Sequence, residues 1–131
     1  MVAFVDTSAI YAFADRDDPN HDRAANGFAA ALTGPDVLLV HSYVILESIA
    51  LLARRRGWDA VRQCLSDVEK FEVRWVDETL HRAAVERFTE RKGRYSLVDE
   101  VSFLVMREHG IRHALAFDRH FWEEGFLPYP S

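Results

Sequence analysis

Short apolar runs alternate with longer amphipathic segments along the whole chain. The apolar runs are rich in β-branched and aromatic side chains, which is typical of buried strands. We predict strands at about 2–5, 37–40, 71–76 and 111–117, with a possible fifth near 126–127. The intervening segments predict helices at about 7–14, 21–32, 43–56, 58–70, 78–91 and 96–109, with a short helical piece from Arg119.

This alternation predicts an α/β fold. Because no tight hairpin turn joins two strands, we expect a mostly parallel sheet of four to five strands with helices on both faces. No repeat, low-complexity segment or linker interrupts residues 1–131, so we expect a single domain. Hydrophobic residues make up 49% of the chain and charged residues 28%, a balance that excludes a disordered protein.

Polar residues at the predicted helix starts indicate how those helices are capped. Thr7 or Ser8 can cap the first helix, and Ser42 can cap the helix that follows the second strand. Ser96 and Asp99 have the spacing of a capping box, in which a hydroxyl and an acid bond reciprocally to backbone N–H groups. Glu100 is then expected to be the exposed acid of the Asp99–Glu100 pair.

Four acids stand at the edges of apolar runs, namely Asp6, Glu47, Asp99 and Asp118. A carboxylate in such a place costs several kcal/mol unless it is paired or bound to a cation. Asp6 and Asp118 directly follow predicted strands, and Glu47 lies on the helix that follows another predicted strand. Because the carboxyl ends of parallel strands meet at one edge, these acids are expected to gather there. Such an oxygen-rich site suits Mg²⁺ or Mn²⁺.

Each acid also has a structural interpretation. Asp6 and Asp118 are possible helix N-caps, Asp99 belongs to the capping box, and a buried salt bridge would explain Glu47. Glu47 shares a helical face with Val44 on a helix that is apolar almost all round, which predicts a buried side chain. Independent caps have no reason to recur at one edge of a sheet, so the set favours a site.

Other side chains offer less chemistry. The six histidines form no convincing site: His21, His81 and His109 are expected at the surface, while His41 lies near the strand edge. Cys64 is the only cysteine, which excludes an intrachain disulfide and a cysteine-based metal site. The chain has no glycine-rich phosphate loop, which argues against a nucleotide cofactor.

The formal net charge of −5 argues against nucleic-acid binding through overall basicity. Phosphates would need local cations, and the candidates are Arg54-Arg55-Arg56 and Arg91-Lys92-Gly93-Arg94. The favoured interpretation of both runs is a solvated helix end, where basic side chains interact well with the helix dipole. Without a signal peptide or a membrane-spanning stretch, we expect a cytoplasmic protein.

Four motifs follow one another along the chain: Val-Asp-Thr-Ser near the start, the acid in an apolar helix, Ser-Leu-Val-Asp, and Ala-Phe-Asp-Arg-His-Phe near the end. In this order they resemble the PIN domain family, most closely the VapC-type toxins of bacterial toxin–antitoxin modules. The resemblance implies a three-layer sandwich and metal-dependent endonucleolytic cleavage of RNA. It assigns Asp6, Glu47, Asp99 and Asp118 as catalytic acids, the three aspartates as Mg²⁺ or Mn²⁺ ligands, and Ser8 as a supporting hydroxyl.

The resemblance further implies an RNA substrate, a homodimer and, as in type II modules, a cognate antitoxin that packs along an apolar groove. Helix faces around 10–13 and 45–52 are candidates for such contacts. Two other functions stay open from the residues alone. One is a non-catalytic interaction domain whose acids are caps and salt bridges. The other is a phosphohydrolase with Asp6 as nucleophile, although that class places an acid where this chain has Ser8.

Overall fold

Five strands form one parallel sheet in the computed structural model, which describes residues 1–130. The strands are β1 (Val2–Val5), β2 (Val37–His41), β3 (Glu72–Arg74), β4 (His113–Leu115) and β5 (Leu127–Pro128). Their order across the sheet is β3-β2-β1-β4-β5, and every neighbouring pair is parallel. The predicted α/β class is confirmed, and the sheet is wholly rather than mostly parallel.

Seven helices connect and flank the strands. They are α1 (Thr7–Ala14), α2 (His21–Thr33), α3 (Ser42–Arg55), α4 (Trp58–Val68), α5 (Glu78–Glu90), α6 (Leu97–Glu108) and α7 (His120–Glu123). The chain builds the sheet outward from β1 through β2 to β3, and then crosses back to place β4 on the other side of β1. The winding direction therefore reverses between β1 and β4, the position where α/β sheets bind ligands. Among residues 1–130, no helix combines the length and apolar character needed to cross a bilayer.

The core lies on both sides of the central strands. Phe4 of β1 is fully buried and stacks on Phe121, with ring centroids 6.0 Å apart, and Phe103 of α6 meets Phe121 edge-on at 5.3 Å. On α2, a Cβ added to Gly27 would lie 2.7 Å from Leu115 Cδ1, so this glycine permits the close approach of α2 to β4. Buried aromatic side chains of this size each contribute about 1.5–3 kcal/mol.

Two helix caps differ from the prediction. The N-cap of α1 is Asp6 rather than Thr7 or Ser8, because the Asp6 carboxylate accepts the Ser8 N–H. The N-cap of α3 is His41, whose Nδ1 accepts backbone N–H groups of the first turn. Ser42, predicted to cap that helix, instead accepts the Val76 N–H through Oγ at 2.9 Å. Because the His41 imidazole satisfies the first N–H groups of α3, the Ser42 hydroxyl is available to bind the segment that follows β3.

The third predicted cap is observed. Ser96 Oγ accepts the Asp99 N–H at 3.0 Å, which forms one half of the capping box. The Asp99 carboxylate makes its side-chain contact elsewhere, with a histidine of α7. Capping of α6 therefore leaves this acid available for chemistry.

Glu100 is fully buried, so the prediction that it is the exposed acid is wrong. Arg87 Nε and Arg91 Nε lie 3.3 and 3.4 Å from its two carboxylate oxygens. Arg87 lies in the last turn of α5 and Arg91 is the C-cap of that helix, which packs against α6. The burial depends on these distant cations, which the local sequence around Glu100 does not reveal.

Glu47 is exposed, so its predicted burial is wrong as well. The buried face of α3 carries Val44, Ser48 and Leu52, which are spaced four residues apart. Glu47 falls beside that face, and its neighbour Leu46 is 67% exposed. The apolar residues of this helix extend beyond the surface that its neighbours, chiefly α4 and α1, cover.

Candidate active site

Three of the four predicted acids lie together where β1 and β4 end. Asp6 follows β1, Asp118 follows β4, and Asp99 stands in the first turn of α6. The Asp6 N–H donates to Leu115 O at 3.1 Å, which fixes the end of β1 against the end of β4. The parallel pairing of these two strands is therefore what brings the distant aspartates to one place.

Asp6 is the most buried of these acids, with 5% of its surface exposed. Its Oδ2 accepts hydrogen bonds from Ser8 Oγ at 2.6 Å and Ser8 N at 3.1 Å. Burial raises the pKa of Asp6 from 3.8 to about 6, the Ser8 bonds oppose this, and the charges of Asp99 and Asp118 raise it further. The group is thus a carboxylate whose negative charge lacks full compensation.

Ser8 connects the two strand ends. Its hydroxyl donates to Asp6 and accepts the Phe117 N–H at 2.9 Å. Phe117 directly precedes Asp118, so one small side chain orients the Asp6 carboxylate and anchors the segment that carries Asp118. This geometry agrees with a supporting role for Ser8.

His120 completes the cluster, and the sequence interpretation missed it. Its Nδ1 lies 3.0 Å from Asp99 Oδ2 and 3.2 Å from Asp118 Oδ1, and its backbone N–H donates to Asp118 Oδ1 at 3.0 Å. Burial raises the pKa of Asp99, the His120 contact opposes that shift, and the Asp118 charge adds to it. The signal available in the sequence was a histidine two residues after a predicted ligand, at the start of the short helix that follows β4.

The cluster fits a divalent cation. Ligand atoms of Asp99, Asp118 and His120 all lie within 4.8 Å of one another. Across residues 1–130, none of the three aspartates forms an ion pair with lysine or arginine; their one basic neighbour at such range is His120. Three carboxylates held close without a guanidinium repel one another, and a hard divalent cation removes that repulsion.

Glu47, like Asp6, lies outside the group of three residues whose ligand atoms are within 4.8 Å of one another. Within the described part of the chain it makes neither a hydrogen bond nor an ion pair, and it lies on the exposed side of α3. Its assignment as a catalytic acid stays a prediction.

The two predicted basic runs have other partners. Arg91 pairs with Glu100 and Glu124, and Arg94 lies over the ring of Tyr95 at 5.2 Å from its centroid. Arg55 lies over Tyr11, and Arg56 is 3.8 Å from Asp15. These contacts support the structural interpretation of both runs.

Two other arginines flank the acid cluster. Arg119 directly follows Asp118; its side chain is 83% exposed, and its Nε lies 3.7 Å from Glu123 Oε2. Arg23 of α2 lies over the ring of Phe117, 5.2 Å from its centroid. Both guanidinium groups therefore lie near the segment that carries Asp118.

His41 is a structural residue. It is fully buried, its Nδ1 accepts the Tyr43 and Val44 N–H groups at 3.2 Å, and its Nε2 bonds to Ser102 Oγ at 2.8 Å. Burial lowers the pKa of His41 to about 3, so the ring is neutral. A ring with both nitrogens engaged has no capacity left for substrate.

Comparison with known proteins defines the class. The sequence model of the PIN domain family matches residues 3–125, and the chain belongs to this family. It is 37% identical to the 23S rRNA-specific endonuclease VapC20 in two strains of Mycobacterium tuberculosis, over 95% of each chain. The crystal structure of Mycobacterium tuberculosis VapC20, described as a sarcin-ricin loop cleaving toxin, superposes with a TM-score of 0.86 and 34% identity over 97% of each chain.

These findings confirm the predicted family and its VapC-type branch. They also favour the nuclease over the two alternatives, because the relatives are endonucleases that share this fold over nearly their whole length. The position two residues after Asp6, where the phosphohydrolase class has an acid, holds the hydroxyl that orients Asp6.

Proposed function

We propose that the protein is a metal-dependent endoribonuclease, the toxin component of a type II toxin–antitoxin module. The observation that carries this proposal is the gathering of Asp6, Asp99 and Asp118 without a guanidinium partner. The likeness to a 23S rRNA endonuclease supports the substrate class.

Asp6, Asp99 and Asp118 would hold Mg²⁺ or Mn²⁺. A bound divalent cation would lower the pKa of the attacking water and stabilise charge on the leaving oxygen. Ser8 keeps the Asp6 carboxylate in one orientation, since both of its hydrogen bonds go to the same oxygen. The partial burial of Asp99 and Asp118 excludes bulk water from part of the cluster and strengthens its electrostatic interactions.

The reaction proposed is in-line attack of water on the phosphorus. The bond between phosphorus and the 3′-oxygen breaks, which yields a 5′-phosphate and a 3′-hydroxyl. Exposed Glu47 stays predicted either to complete the ligand set of the metal or to accept the proton of the attacking water. Glu47→Gln tests its role through the rate of single-turnover cleavage. Arg23 and Arg119 are proposed to hold the RNA backbone.

The proposed substrate is 23S rRNA at its sarcin-ricin loop, by analogy with the relatives. The test incubates intact ribosomes with the protein and Mg²⁺ or Mn²⁺, with and without chelator, and maps the cut ends by primer extension. We expect one cut in that loop, absent with chelator and with Asp6→Asn. Metal-independent cutting, or full activity of Asp6→Asn, would reject the proposal.

An apolar groove is proposed to receive the antitoxin. A cavity of about 520 Å³ lies between α1, α2 and α4, and its walls include Ile10, Phe13, Phe28 and Leu32. Phe13 and Leu32 are 38% and 46% exposed, so the groove is open to a partner segment. Of the two predicted helix faces, 10–13 lines this groove, whereas 45–52 contributes only Leu52.

Co-purification with the cognate antitoxin tests the groove. We expect Phe13→Asp to weaken the complex while free toxin keeps its activity. Val85→Asp, at an exposed position of α5 outside the groove, should leave the complex intact. The homodimer also stays a prediction, which light scattering of the purified chain tests.

A further inference from the structure

His120 contacts two of the proposed metal ligands through a single nitrogen. Nδ1 is 3.0 Å from Asp99 Oδ2 and 3.2 Å from Asp118 Oδ1. At this position Nδ1 either donates a hydrogen bond to the two carboxylates or binds the same cation as they do. The proposed function places a divalent cation among these same oxygens, which favours the second arrangement in the metal-bound protein.

The spacing matches a coordination shell. Metal–ligand bonds of about 2.1–2.2 Å place neighbouring ligands of an octahedron about 3.0–3.1 Å apart. The two distances from Nδ1 agree with this separation without rearrangement of the ring. All three ligand atoms also lie within 4.8 Å of one another, as one shell requires.

The surroundings hold the ring in place. The backbone N–H of His120 is bonded to Asp118 Oδ1 at 3.0 Å, and the next residue, Phe121, is fully buried. The buried ring of Tyr95 packs against the imidazole, with centroids 5.0 Å apart and planes inclined by 65°. An imidazole that is anchored on both sides keeps its Nδ1 directed at the cluster and loses little conformational entropy when it binds a cation.

We propose that His120 is a metal ligand through Nδ1, so that the site is a mixed nitrogen and oxygen site that prefers Mn²⁺ to Mg²⁺. This inference rests on the proposed function. Mg²⁺ favours all-oxygen shells, whereas first-row transition ions accept imidazole readily. Neutral imidazole is the ligand form, so Nε2 keeps the hydrogen and Nδ1 offers its lone pair to the cation.

Electron spin-echo spectroscopy of the Mn²⁺-loaded protein tests the ligand directly. We expect modulation from a directly bound ¹⁴N nucleus in the wild type and its loss in His120→Gln. His109→Gln is the matched control, because this exposed histidine at the end of α6 lies outside the cluster. The modulation should persist in that control.

Calorimetric titration with each ion supplies the second readout. We expect His120→Gln to weaken Mn²⁺ binding at least about tenfold, as loss of an ordinary ligand or its support does. Mg²⁺ binding should change less, so that the preference for Mn²⁺ falls.

The inference and the proposed function fail differently. Mn²⁺-dependent RNA cleavage by a wild-type protein without nitrogen modulation overturns the role of His120 and leaves the nuclease intact. An unchanged ratio of Mn²⁺ to Mg²⁺ affinity in folded His120→Gln also overturns it. Failure of the wild type to bind either ion or cut RNA would reject both. The wild-type spectrum decides the question even if His120→Gln does not fold.

Discussion

The Asp6 side chain has two roles, one in capping a helix and one in the candidate active site. As an N-cap it stabilises the start of α1, and as a buried carboxylate it is poised to bind a cation. The sequence interpretation treated these as competing roles, and the structure satisfies both because the two Ser8 bonds go to Oδ2. Capping by an acid therefore did not argue against the site, and its position after a buried strand was the stronger signal.

Asp6→Asn is expected to stabilise the metal-free protein at neutral pH while abolishing cleavage. The pKa of Asp6 rises from 3.8 in the unfolded chain to about 6 in the fold, so the folded state holds its proton more tightly. The group therefore lowers stability above pH 6 and has no such effect below about pH 4. At 1.36 kcal/mol per pKa unit, the gain at pH 8 is on the order of 3 kcal/mol.

Urea unfolding in chelator at pH 8 and pH 4 measures this difference. The gain should be present at pH 8 and small at pH 4, and Mn²⁺ should stabilise the wild type but not the variant. Glu86→Gln, at an exposed position on α5, is the control and should change stability little at either pH. An Asp6→Asn protein that is less stable than wild type at pH 8 would contradict the uncompensated charge.

At the scale of elements, the sequence predicted every helix and strand, and it erred where a side chain depends on a neighbouring element. The local sequence around Glu100 predicts an exposed acid in a first helical turn. Its burial is explained by Arg87 and Arg91 at the end of α5, which pair with it. Glu47 was predicted to be buried because α3 is apolar almost all round, yet neighbouring elements, chiefly α4 and α1, bury only the face of Val44, Ser48 and Leu52. The apolar pattern of a helix predicts which of its faces can be buried, but the packing of neighbouring elements determines which side chains are buried.

His41 joins three elements, since it ends β2, caps α3 and bonds to Ser102 of α6. Its pKa falls from 6.5 to about 3 on folding, so protons bind the unfolded chain more readily as the pH falls below 6.5. We expect His41→Asn, which keeps a capping side chain, to lose stability at pH 8 through lost packing. The deficit should shrink on acidification by up to about 1.4 kcal/mol per pH unit.

Thermodynamic stability of both proteins between pH 8 and pH 4.5 checks this, because the contribution of Asp6 is common to both and cancels in the difference. A deficit that is constant over the whole range would show that His41 is not held neutral by the fold.

Glu100→Gln tests the ion pairs between α5 and α6. The substitution leaves Arg87 and Arg91 without their shared carboxylate, and removal of one partner of a buried pair is strongly destabilising. Burial raises the pKa of Glu100, so replacing the charged carboxylate recovers part of its desolvation cost, and Arg91 keeps Glu124 as a partner. We therefore expect a net loss of about 1–2 kcal/mol in denaturant unfolding. Glu78→Gln removes an exposed pair with Arg82 and should cost below about 0.5 kcal/mol. Equal losses in the two variants would contradict this account.

At the scale of the whole molecule, the α/β class and the edge that carries the site followed from the alternation of elements. The strand order β3-β2-β1-β4-β5 did not, because a one-dimensional pattern does not say on which side of β1 the fourth strand is placed. That choice brings Asp118 and His120 beside Asp6, and the contribution of His120 depends on it. The sequence was sufficient to place the aspartates at one edge of the sheet. That they lie close together there depends on the pairing of β1 with β4, which the sequence pattern does not show.

The net charge of −5 makes RNA binding a local property of the surface around the acids. Arg23 and Arg119 flank the cluster, so we expect Arg23→Gln and Arg119→Gln each to lower kcat/KM for RNA cleavage by about tenfold at low salt. Each variant should also reduce the slope of log(kcat/KM) against log[salt] by about 0.7, the value for one lost phosphate contact on a single strand.

Arg62→Gln is the matched control, since Arg62 is exposed and pairs with Asp59 on α4. Cleavage rates measured from 50 to 300 mM salt, at a fixed Mg²⁺ concentration, separate lost phosphate contacts from damage to the site. If either flanking variant lowers activity by the same factor at every salt concentration, that arginine acts on the acid cluster rather than on the RNA backbone. If both slopes fall while the control keeps the wild-type slope, the strand crosses the acids between these two arginines.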